Sequence, residues 1–162
     1  MRRAGRWLIA LAAAGQVIAL AGCGGGGASP SAAQYRKSLD ALCASAAAFN
    51  RSLPHLQQSQ HLSVDELAVD AGKEFASFRS SVSRLTPPAG LSRAHDALVA
   101  ELDRQPTSST PLPNTAASFA GLEKHSQALL SDYTALGASG CEADARQAIA
   151  AVQADEAAAA KP

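Results

Sequence analysis

Tyr35, Leu39, Leu42, Ala46, Phe49, Leu53 and Leu56 succeed one another at alternating steps of four and three residues. That rhythm draws one apolar stripe along a helix, and no strand produces it. The spacing returns in Val64, Ala68, Ala71, Phe75, Phe78, Val82 and Leu85, and more briefly in Leu91, Ala94, Leu98 and Leu102. Phe119, Leu122, Ser126, Leu129, Tyr133 and Leu136 make a fourth stripe, and Ala145, Ala148, Ile149 and Val152 mark a fifth. Only six residues beyond position 22 are Val or Ile, whereas strands draw on β-branched side chains. The chain is expected to be all-α.

The punctuation between the stripes sets the topology. Ser63-Val64-Asp65-Glu66 reads as a capping box, with Leu62 and Leu67 at the staple positions, and Pro87-Pro88 end the helix that it opens. Pro54 lies inside the first stripe and is expected to kink or shorten that helix near Leu53. Residues 105–113 are a loop by composition. Gly137 stands where a helix stop favours glycine, and Ser139-Gly140-Cys141-Glu142 reads as another capping box. Beyond Ala157 the tail is expected to fray. Short connections imply antiparallel neighbours, which gives an antiparallel up-down bundle of four to five helices over residues 34–160.

That bundle has little to pack with. The chain holds 38 alanines in 162 residues, and from Cys23 onward only 25 residues are Leu, Ile, Val or Phe. Such a composition permits one small, thinly cored domain and excludes two.

Residues 1–22 are different in kind. Arg2, Arg3 and Arg6 precede an apolar run from Trp7 to Leu20, broken only by Gln16, and Ala21-Gly22-Cys23 follow. A basic start, an apolar stretch and a small-residue end describe an export signal, and the run is short for a retained anchor. Its last residues, Leu20-Ala21-Gly22-Cys23, resemble the lipobox of bacterial lipoproteins. The resemblance implies acylation of the Cys23 thiol and cleavage before it. A plain secreted protein cut after Ala19-Leu20-Ala21 is the rival reading. Residues 23–33, which include Gly24 to Gly27, then form a flexible tether; a phosphate-cradling glycine loop would need a strand before it and Lys-Ser/Thr after it. Removing residues 1–22 takes away three arginines and leaves 11 basic against 14 acidic residues, a net charge of −3. Nothing in that balance suggests nucleic-acid binding.

The cysteine count supports the lipoprotein resemblance. Three cysteines leave one over in an exported chain; if Cys23 carries lipid, Cys43 and Cys141 remain as a pair. Topology reaches the same pair independently. In an up-down bundle the fourth helix ends at the level where the first begins, so Cys141, opening the fifth, falls near Cys43. A Cys43–Cys141 disulfide is expected; a metal bound by these two thiols lacks further ligands.

Catalytic patterns are missing from the sequence. No glutamate has His three residues on, as di-iron bundles require, and neither a Cys-x-x-Cys-His haem motif nor G-x-S-x-G nor H-E-x-x-H occurs. His95 and His125 border the stripes of the third and fourth helices and are a candidate facing pair, though amphipathic filler is the ordinary role of such residues. His55 and His61 read as surface. Asp65, Glu66, Asp70 and Glu74, with Lys73 and Arg79, read as a solvated face, and the aromatic residues as core. No catalytic residue, cofactor or metal site is therefore expected.

The whole layout resembles small helical lipoproteins of high-GC actinobacteria, through the lipobox, the cysteine in the first helix, Leu85-Thr86-Pro87-Pro88-Ala89 and the late cysteine at 141. That family lends no activity. The expected protein is a lipoprotein held at the outer face of the cell membrane by acylated Cys23 and acting as a non-enzymatic interaction or structural module. A protein partner would meet the membrane-distal connections, residues 57–62 and 104–114, with Gln57, Gln58, Gln60 and His61. The alternative is a binding protein for a small apolar ligand or metal held between the helices. An alanine-packed seam would favour the first, and a wide cavity lined by His95 and His125 the second.

Overall fold

The computed structural model describes residues 29–104 and 116–159. Within them lie five α-helices and no strand: α1 (Ala32–Gln60), α2 (Val64–Ser83), α3 (Ser92–Arg104), α4 (Ala116–Leu136) and α5 (Ser139–Ala159), with a short 3-10 turn, Ala89–Leu91, leading into α3. The expected signal segment (1–22), Cys23, most of the expected tether and residues 105–115 lie outside the described residues.

Local chemistry accounts for most of the helix ends. Ser31 opens α1 with a reciprocal capping box: its hydroxyl accepts from the Gln34 amide at 3.2 Å, and the Gln34 side chain accepts from the Ser31 amide at 2.9 Å. The domain thus starts two residues earlier than expected from the sequence. Ser63 and Glu66 do the same for α2, at 3.2 and 2.8 Å. α4 stops at Gly137, whose φ of 68° is open to glycine without strain. There the Ala138 amide reaches back to the Tyr133 carbonyl and the Gly137 amide to that of Thr134, each at 3.0 Å, which is the Schellman pattern.

Two sequence expectations change. α1 runs unbroken past Pro54 for six more residues, to Gln60. Proline removes one amide and crowds one carbonyl, that of Asn50, and the turns on either side are enough to carry the helix through. The connection to α2 then shrinks to His61, Leu62 and Ser63, with His61 in the left-handed region at φ 54°, a conformation that His tolerates better than most residues. Ser139, for its part, is not the N-cap of α5. It is already helical, and the residue before it, Ala138, has no side-chain acceptor.

Each helix packs on its neighbours in sequence, and α5 returns to α1. Five alternating helices closed into a ring must leave one parallel pair, and here it is α1 and α5. The Cys43–Cys141 disulfide lies across this seam, with Cα atoms 5.3 Å apart. The fully buried side chains gather at the end where α1 begins: Leu39 from α1, Val82 from α2, Leu98 and Leu102 from α3, Leu136 from α4 and Cys141 from α5. α3 has 13 residues against 20 to 29 in the others, so among the described residues it spans only part of the length of its neighbours.

Candidate functional site

Alanine-lined walls leave space where larger side chains would have met. A partly open cleft of about 440 Å³ lies between the helices, at the level of Leu102 near the end of α3. Ala46 and Ala47 of α1 form one wall, and Ala145, Ala148 and Ala151 of α5 the next. Phe75 and Phe78 of α2 with Leu129 and Tyr133 of α4 supply the bulk apolar surface. Asn50, Arg51, Glu74, Ser126, Asp144 and Gln147 add polar groups to the lining. Burial, with Asp132 and Asp144 nearby, pushes the Tyr133 hydroxyl well above the ordinary phenol range, so it stays protonated. Glu74, assigned to a solvated face from the sequence, is half-buried on this lining; its neighbours Asp70 and Lys73 do pair on the surface at 2.8 Å.

The histidine pair dissolves. His95 is buried and shares a 2.8 Å hydrogen bond through Nδ1 with the Tyr35 hydroxyl, the rings meeting edge-on. Burial holds His95 below the usual imidazole range, against a small opposing pull from Asp96, and lifts Tyr35 to about 12. His125 instead meets Glu101, Nδ1 to Oε1 at 2.7 Å, and its buried Nε2 has no partner among the described residues. Burial alone would raise the Glu101 carboxyl, but hydrogen bonds and charge from His125 and Arg104 outweigh it and hold the group below the usual carboxylate range. Neither histidine lines the cleft. Among the described residues no group of three or more His, Cys, Asp or Glu is placed to hold a metal ion.

The chain matches no family model, no curated protein and no solved structure.

The remaining expected residues fall as follows. Cys43 and Cys141 are joined, and both border the cleft. Gln57, Gln58 and Gln60 lie exposed on the last turns of α1 rather than in a loop, and His55 and His61 are exposed as well. The second expected contact segment, 104–114, lies outside the described residues beyond Arg104.

Sequence reasoning missed Arg36 and Asp40. From α1 they reach across 100 residues of chain to the α4–α5 turn. Arg36 Nε donates to the Leu136 carbonyl at 2.8 Å, and Asp40 Oδ1 accepts from the Gly140 and Cys141 amides at 2.9 and 3.3 Å. A cation thus sits at the C-terminus of α4 and a carboxylate at the N-terminus of α5, each favoured by the helix dipole. Their only trace in the sequence is the pair of glycines that admits them. A Cβ on Gly137 would lie 2.9 Å from Arg36 Nε, and one on Gly140 3.0 Å from Asp40 Oδ1.

Proposed function

We propose that this chain is a lipid-anchored, extracytoplasmic, non-enzymatic binding protein whose helical ring holds a small apolar ligand. The cleft carries the reading. A volume of about 440 Å³, aromatic and aliphatic walls and a few polar groups are what small-ligand sites present. The interaction-module reading looked to an alanine-packed seam and to the connections 57–62 and 104–114. The alanines of α1 and α5 border a cleft, the first connection is three residues long, and the second lies outside the described residues beyond Arg104. The metal variant of the ligand reading loses its histidines to Tyr35 and Glu101.

The anchor is supported by the arginines, the apolar run and the lipobox-like Leu20–Cys23. No helix among the described residues is long and apolar enough to cross a membrane. A thioether-linked diacyl group and an amide-linked chain on Cys23 would exceed the two signals that stable anchoring needs. Replacing Cys23 with Ala should release the protein from membranes and stop labelled palmitate entering it. Retention in the membrane fraction with label would overturn the anchor.

The cleft is tested separately with N-phenyl-1-naphthylamine, an uncharged apolar fluorophore, on the Cys23→Ala chain. Residues 1–22 are deleted from this chain, so the apolar run from Trp7 to Leu20 takes up none of the probe. Saturable enhancement at one probe per chain is expected. A linear, unsaturable response would sink the ligand reading.

A further inference from the structure

The parallel α1–α5 seam has no connecting loop, yet three features of α1, each about one turn apart, engage the start of α5 and the turn before it. Arg36 holds the Leu136 carbonyl, Asp40 caps the Gly140 and Cys141 amides, and Cys43 is bonded to Cys141. Two of the three are non-covalent. Asp40 binds the amide of the very residue whose sulfur is joined to Cys43, so it fixes the backbone at Cys141 whether or not the sulfur is bonded. Glycine at 137 and 140 leaves room for this approach. The Tyr35–His95 bond and the buried Leu39, Leu98 and Leu136 also hold α1 in place without help from the disulfide.

We propose that the seam is a redox-responsive latch: the Cys43–Cys141 bond opens and closes within the folded bundle, with Arg36 and Asp40 keeping the two sulfurs in register. Both cysteines are buried, Cys141 fully and Cys43 almost so, and both border the cleft, so a small thiol reaches the bond from the cleft and exchange begins at Cys43. The incoming thiolate bonds to Cys43 Sγ, the disulfide breaks, and its electron pair leaves on Cys141 Sγ, which takes a proton from water. A second small thiolate then attacks the mixed disulfide and frees Cys43. The protein disulfide is reduced to a dithiol, and two small thiols are oxidised to one small disulfide. Because both cysteines border the cleft, opening the latch loosens its α1–α5 wall while the base of the seam stays capped. The latch itself does not depend on what the cleft binds.

The test uses the full chain carrying Cys23→Ala, equilibrated in mixtures of reduced and oxidised glutathione, with the effective concentration of Cys43 for Cys141 as readout. Reduced protein should keep its far-ultraviolet helical signal and a cooperative melt. Asp40→Ala frees the reduced seam to move, so closing the disulfide must take away more freedom, and the effective concentration should fall by up to about tenfold, the full worth of a helix cap. Asp40→Asn, which retains the acceptor oxygen, should recover most of it. Ser63→Ala removes a helix cap of the same kind at the start of α2, away from the seam, and should leave the value unchanged. Loss of helix on reduction, an unaltered value in Asp40→Ala, or an equal fall in Ser63→Ala would each overturn the latch.

Discussion

At the scale of single residues, the buried polar groups set how the domain answers to pH. His95 is 5% exposed and is held below its ordinary value of 6.5, chiefly by burial. Between its folded value and 6.5 the unfolded chain binds a proton that the native chain does not, so stability rises with pH through that window. The contribution is complete above about pH 6.5 and is lost as pH falls toward the folded value. Thermal melts taken from pH 8 to 5 should show the midpoint falling below about pH 6.5, and His95→Gln should flatten that limb. A limb that survives the substitution would assign it to another group. Glu101 acts in a lower window: held down by His125 and Arg104, it stabilises the fold above its ordinary value of 4.5 and loses that contribution as pH falls below it. Glu101 and Asp40 were both unremarkable in the sequence, because a carboxylate on a helix reads as solvent-facing until its partners on other helices are known.

At the scale of elements, local signals were legible wherever the decisive interaction was local. The Ser63–Glu66 box and the Gly137 stop involve residues within one turn or two of each other, and both occur as read. Pro54 illustrates the opposite case. Its local effect is to end a helix, but Phe49, Leu53 and Leu56 are part of a stripe that continues, and packing of that stripe carries α1 to Gln60. The proline is then a cost within a formed helix. Pro54→Ala should raise unfolding free energy by about 1–3 kcal/mol in urea titrations, the upper end being the full interior penalty. No gain would mean that the helix is already distorted there. The start of α5 shows why a capping motif can mislead. Ser139-Gly140-Cys141-Glu142 has the residues for a box, but the Glu142 amide that a Ser139 cap would serve donates to the Ala138 carbonyl, Asp40 takes the Gly140 and Cys141 amides, and the helix begins earlier.

At the scale of the whole molecule, a thin core is closed by one long covalent loop. The disulfide spans 98 residues, a loop for which chain entropy predicts about 4–5 kcal/mol, a large share of a typical domain stability of about 5–15 kcal/mol. Reduction should therefore lower the melting midpoint by about 10–20 °C while leaving a cooperative transition; an unchanged midpoint would show that the loop was already constrained in the unfolded chain. The alanine walls that make the bundle thin also leave the cleft unfilled. Ala47→Leu places a larger apolar side chain against the cleft, so it should raise the midpoint of the unliganded protein and abolish saturable probe uptake. Probe binding that persists with unchanged affinity would place the probe elsewhere.

The sequence alone determined that this chain is helical, where most helices start and stop, that they alternate in direction, and that Cys43 meets Cys141. Each of these follows from spacing along the chain or from the parity of an up-down topology. Only the tertiary structure decided that five helices close into a ring with one parallel seam, that the two histidines find separate partners, that Arg36 and Asp40 hold a turn 100 residues away, and that a partly open cleft remains between the helices. Stripe patterns record which face of a helix turns inward. They do not record how far apart the inward faces come to rest, and with alanine on the α1 and α5 walls that distance exceeds what the side chains can fill.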